Sequence, residues 1–69
     1  MRLDKLLSRI DLRDDVVITH KGGVLFGPAS CENALMCKKE WANYYVAYLG
    51  LTKDMEIRIT VYQIETVIK

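Results

Sequence analysis

Sixty-nine residues with ten basic and nine acidic side chains give a net charge of +1, which excludes the strongly basic footprint of most nucleic-acid-binding domains and a polybasic membrane anchor. A chain this short makes one domain, buries about 60% of the surface its unfolded form exposes and holds a core worth roughly 3–5 kcal/mol net. Its hydrophobic content of 51% suffices for a core, excludes a disordered chain, and leaves apolar side chains outside that a homodimer or a docking partner would cover.

Leu3, Leu6, Leu7 and Ile10 recur at i, i+3, i+4 and i+7 and predict a helix over about residues 2–10. The cluster Asp11, Arg13, Asp14 and Asp15 ends it, because short acidic side chains favour turns. Val16, Val17, Ile18 and Thr19 are β-branched and predict a strand. Lys21-Gly22-Gly23 supplies the positive φ of a tight hairpin, and Val24-Leu25-Phe26 returns as a strand that Gly27-Pro28 is expected to end. Ser30 is a candidate N-cap for a short helix over about 31–40, with Glu32 in its first turn.

Tyr44–Leu51 predicts a third strand and Thr52-Lys53-Asp54 a turn. Met55, Ile57, Ile59 and Val61 alternate with Glu56, Arg58, Thr60 and Tyr62, the pattern of a strand with one wet face. A three-residue turn places Leu51 opposite Met55, Leu49 opposite Ile57, Ala47 opposite Ile59 and Tyr45 opposite Val61, all on one face. Tyr44, Val46, Tyr48 and Tyr62 then share the other, with Tyr44 across from Tyr62. The tail holds Ile64, Val67 and Ile68 and would prolong the strand, form a helical turn or dock on a partner. The expected fold is therefore α+β, in the order α-β-β-α-β-β: a four-stranded antiparallel sheet with both helices on one face.

The chemistry of catalysis is missing from the pattern. His20 is the single histidine and has neither a nucleophile nor an orienting carboxylate in its motif context. A zinc site of His20, Cys31, Cys37 and a carboxylate lacks the close ligand pair of structural zinc sites. On one helix the two cysteines would stand about 9 Å apart, too far for a disulfide, so both are expected reduced. Gly22-Gly23 lacks the remainder of a phosphate loop. Neither a cofactor nor a metal is expected. The longest apolar run is too short to span a bilayer, and the N-terminus lacks the apolar stretch of a signal peptide, so the default location is the cytoplasm.

Binding is what remains. Lys38, Lys39 and Trp41 would contact a nucleic acid if the indole stacked on a base, against which stands the near-neutral charge. The candidate partner-binding residues are Tyr44, Tyr48 and Tyr62 with nearby Trp41, since these side chains give large contact area at low entropy cost; cross-strand aromatic pairs that only stabilise the sheet are the alternative.

The succession Leu3-Asp4-Lys5-Leu6-Leu7, Ile10-Asp11, Asp15-Val16-Val17-Ile18, a glycine turn and Val24-Leu25-Phe26-Gly27 resembles small bacteriophage and prophage proteins that open with a leucine-rich helix before a strand. Cys31-Glu32-Asn33-Ala34 and the tyrosine-rich third strand depart from that pattern, and no functional residues come with it. The resemblance implies a phage accessory protein that binds a host or phage protein stoichiometrically, such as an inhibitor of host defence of the anti-CRISPR kind. A nucleic-acid-binding accessory protein and a small structural or self-associating protein are the alternatives.

Overall fold

The computed structural model describes residues 1–63, and the alternatives for the tail fall on residues 64–69, outside the described residues. Along the chain come α1 (Leu3–Leu7), β1 (Asp15–His20), β2 (Gly23–Ser30), α2 (Cys31–Met36), a 3-10 turn at Lys38–Trp41, β3 (Tyr44–Leu51) and β4 (Ile57–Gln63). The fold is α+β, but its four-stranded sheet, in the order β2-β1-β4-β3, is mixed rather than antiparallel. β1 pairs antiparallel with β2 and parallel with β4, and β4 pairs antiparallel with β3.

Strand content accounts for that order. β1 is buried on both faces at Val16, Val17, Ile18 and Thr19, which demands a neighbour on each side. β2 contains Pro28, whose nitrogen cannot donate to a ladder, and so lies at an edge. Gly27-Pro28 does not end β2, however. The strand passes through this cis peptide bond to Ser30, with irregular register on both sides of Phe26. At Gly27, with φ +87, a Cβ would overlap the carbonyl oxygen of Val16, so the bend is open only to glycine. The hairpin before it turns on Lys21 and Gly22, both at positive φ, with His20 opposite Gly23. This is the backbone geometry of a two-residue hairpin turn.

Both helices are shorter than the periodicity predicts. Arg9 and Ile10 donate backbone hydrogen bonds three residues back, to Leu6 and Leu7, so the α-helix tightens after Leu7 while Ile10 stays packed on the core. Ser30 caps α2 by accepting from the Asn33 N–H at 3.4 Å. Beyond Met36 the chain leaves the α-helix at Cys37 and makes a 3-10 turn to Trp41. Leu3 and Leu7 from α1, Cys31 and Ala34 from α2, and Trp41 pack with Val16, Ile18, Ile59 and Val61 into one buried cluster. Both helices therefore cover the same face of the sheet. No helix among the described residues is long and apolar enough to cross a membrane.

Candidate functional site

The register of β3 on β4 decides which aromatic side chains reach solvent. Leu51 lies opposite Ile57 and Leu49 opposite Ile59, two residues removed from the expected register but with the same side-chain parity. The connection is wider than a three-residue turn because Thr52 organises it. Its Oγ1 accepts from the Asp54 and Glu56 N–H groups at 3.3 and 3.1 Å, and its own N–H donates to the Glu56 carbonyl at 2.9 Å. Met55 consequently lies in the loop with φ +63, exposed, and not in the strand.

Further along, Tyr48 is opposite Thr60 but Val46 is opposite Val61. Ala47 is one residue too many, a β-bulge, and it reverses the facing of everything before it. Tyr44 and Val46 therefore pack on the helix-covered side, against the expectation that they would join Tyr48 and Tyr62. Tyr45 takes the place expected of Tyr44 and lies across from Tyr62.

Trp41 is likewise not a surface residue. It is 4% exposed, its Nε1 donates to the Ala34 carbonyl at 2.8 Å, and Phe26 and Tyr44 meet it edge-on at 5.9 and 6.1 Å. Tyr44 in turn touches the His20 ring edge-on at 5.5 Å. A stacking platform of Trp41 with Lys38 and Lys39 is thus not formed; the lysines are exposed while the indole is interior.

The face that no helix among the described residues covers carries Val17 and Thr19 from β1, Arg58, Thr60 and Tyr62 from β4, and Tyr45 and Tyr48 from β3. Its centre is closed: Val17 and Thr19 are buried, and Thr19 and Thr60 share a hydrogen bond at 3.1 Å. Its β3 side is open. Tyr45 and Tyr62 lie with ring centroids 5.8 Å apart and planes tilted by 30°, and Tyr48 is 63% exposed. The Tyr48 ring covers Gly50, where a Cβ would come within 3.0 Å of Cε2, so the phenol lies along the strand and not away from it. Three phenols and the Arg58 guanidinium make a surface able to bury area and donate hydrogen bonds. Of the four residues expected to form such a surface, Tyr48 and Tyr62 are on it, and Tyr45 was missed. The available signal was spacing: Val46 and Leu49 are both apolar but an odd number of residues apart, so they share a face only if a bulge intervenes.

The other chemical groups are dispersed. His20 ends β1 opposite Gly23, whereas Cys31 follows Ser30, which pairs with Asp15 at the far end of the same strand. The length of β1 separates them by about 17 Å, and no group of three or more His, Cys, Asp or Glu side chains that could hold a metal ion occurs among the described residues. Both cysteines are free. The Cys31 thiol is buried and donates to the Leu7 carbonyl at 3.2 Å; desolvation first, and the negative charges of Asp14 and Asp11 next, push its pKa up. Asp11 is held below the usual carboxylate range by the Arg13 backbone N–H and then by its guanidinium. His20, Lys21, Val61, Tyr62 and Gln63 line a shallow concavity of about 190 Å³ at the end of the sheet.

No protein family, no curated protein and no solved structure matches the chain.

Proposed function

We propose that this protein acts by stoichiometric binding of another protein, through the sheet face that bears Tyr45, Tyr48 and Tyr62. The observation that carries the reading is three tyrosines gathered on the face that no helix among the described residues covers, the outermost 63% exposed. Tyrosine and arginine are the residues over which interface energy concentrates, and Arg58 stands on the same face beside Gly50. The fitting partner presents an apolar patch with carbonyl or carboxylate acceptors, which the phenols and the guanidinium would satisfy. The resemblance to small phage proteins supports a phage accessory role in the host cell, with a protein of a host defence system as the target.

The test is affinity capture from bacterial lysate, with calorimetry on each protein recovered. A one-to-one complex lost in Tyr48→Ala and in Arg58→Ala, both with the circular dichroism of the parent, is the expected result. Undiminished affinity in the triple variant Tyr45→Ala, Tyr48→Ala, Tyr62→Ala would refute the site, leaving the tyrosines as cross-strand stabilisers. For the defence-inhibitor role, expression of the chain should raise phage plating on a defence-positive strain and leave a defence-negative strain unchanged.

A further inference from the structure

The two edges of the sheet are built differently. β2 is protected by Pro28, by the Gly27 bend and by two breaks of register, all devices that stop a foreign strand from pairing. Among the described residues, the outer edge of β3 is covered only in its first half. Arg2 bridges antiparallel to Tyr45, and the Val46 N–H donates to the Met1 carbonyl at 2.9 Å. This edge therefore already accepts an antiparallel strand, which pairs with it as far as Val46.

Tyr48-Leu49-Gly50-Leu51-Thr52 follows, with no charged residue and no proline. Leu49 and Leu51 are 51% and 64% exposed on the helix-side face, and Tyr48 is exposed on the other. The backbone there points outward. Thr52 donates inward to Glu56, so alternation along an antiparallel ladder turns the N–H and C=O groups of Leu49 and Leu51 away from β4.

We propose that two copies of this chain pair antiparallel through this half of β3, about a two-fold axis at Gly50, into one continuous eight-stranded sheet. The occupant is a second copy because the segment is self-complementary. Centring on Gly50 sets Leu49 opposite Leu51 of the second copy and Leu51 opposite its Leu49, so each exposed leucine covers the other. It sets Tyr48 opposite Thr52 on the tyrosine face and brings no like charges together. The outward groups of Leu49 and Leu51 meet their counterparts as a hydrogen-bonded pair. The interface is small, so the dimer belongs to the weak class, with a dissociation constant in the micromolar range expected. The two tyrosine faces would run on from one copy to the other. This inference does not rest on the partner reading, because it needs no partner present.

Sedimentation equilibrium over a concentration series tests it, together with amide exchange at low and high concentration. Residues added before Met1 would continue antiparallel along this same edge, so the chain is used without an N-terminal extension. The expected result is a monomer–dimer equilibrium in which the Leu49 and Leu51 amides become protected as concentration rises. Leu49→Lys with Leu51→Lys sets like charges opposite each other and should weaken the dimer by about tenfold or more with unchanged circular dichroism. A chain that stays monomeric up to about 1 mM overturns the proposal. So does a dimer that survives the double lysine variant, or one in which the two leucine amides still exchange freely.

Discussion

Replacing Trp41 with phenylalanine separates an interior indole from a binding one. The substitution keeps an aromatic ring between Phe26 and Tyr44 but removes the Nε1 hydrogen bond of 2.8 Å to the Ala34 carbonyl. That carbonyl retains the Cys37 N–H at 3.1 Å, so it is not orphaned, and the lost bond costs about 1 kcal/mol. The smaller ring leaves a void in a buried cluster, worth about 1–2 kcal/mol more. Against a net stability of roughly 3–5 kcal/mol for a core of this size, the Trp41→Phe variant should remain folded with its urea midpoint about halved and its m value unchanged. Trp41→Ala, at about 3–5 kcal/mol, should not fold. Because the substitution deletes the indole fluorophore, the transition is followed by far-ultraviolet circular dichroism. A Trp41→Phe loss below about 0.5 kcal/mol, the range of surface substitutions, would refute the interior placement and with it the face assignment of β3.

Three further outcomes follow from the same contacts. Gly27→Ala combines a disfavoured φ with overlap on the Val16 carbonyl and should cost about 2–5 kcal/mol, whereas Gly22→Ala, with φ +80 but open space around it, should cost about 1–2 kcal/mol; equal melting temperatures for the two would contradict the bend. The folded state holds the Cys31 proton more tightly than the unfolded state does, so this contribution to stability is complete below the ordinary thiol pKa of about 8.5 and declines as pH rises beyond it. The urea midpoint should accordingly drop more between neutral pH and about pH 9.5 in the parent than in Cys31→Ala, and thiol labelling should modify the half-buried Cys37 first, with Cys31 waiting for unfolding; equal labelling rates would contradict its burial. Tyr48→Ala should change stability by less than about 1 kcal/mol, since the residue is 63% exposed, and a larger loss in urea unfolding would mark Tyr48 as a structural residue.

Local pattern carried much of the fold. The Leu3, Leu6, Leu7, Ile10 stripe does pack on the core, although the helix closes at Leu7; Lys21-Gly22 does turn a hairpin; Ser30 does cap α2. Ile57, Ile59 and Val61 do lie on the covered face of β4. Each depends on chemistry within a few residues of itself. The failures depend on more distant choices. The phase of β3 was reversed by a single inserted residue, Ala47, whose small side chain gives no propensity signal of its own. Strict alternation consequently put Tyr44 outside and Tyr45 inside. The wide Thr52 loop shifted the hairpin by two residues and therefore left the facing of Leu49 and Leu51 intact, because side-chain parity survives an even shift and not an odd one.

How the two hairpins join was also decided by burial. Antiparallel pairing throughout would have set β3 beside β1. β3 has the bulge, the exposed Tyr48 and Leu51, and an outer edge that the Met1–Arg2 segment half covers. β4 instead offers Ile57 and Ile59 in regular alternation beside Val16 and Ile18, and Thr60 to bond Thr19. A central strand must match its neighbours on both faces at once, and among the second hairpin's strands β4 does so with aliphatic side chains on one face and a threonine pair on the other. Choosing β4 makes the central pairing parallel and moves β3 to the rim. The tyrosines of β3 and β4 then lie at one margin of the sheet, beside a stretch of edge, Tyr48–Thr52, that has no proline or charge and that no strand among the described residues covers. The same packing preference that buries the aliphatic strands therefore gathers the phenols and the free edge where a partner, or a second copy, would meet both.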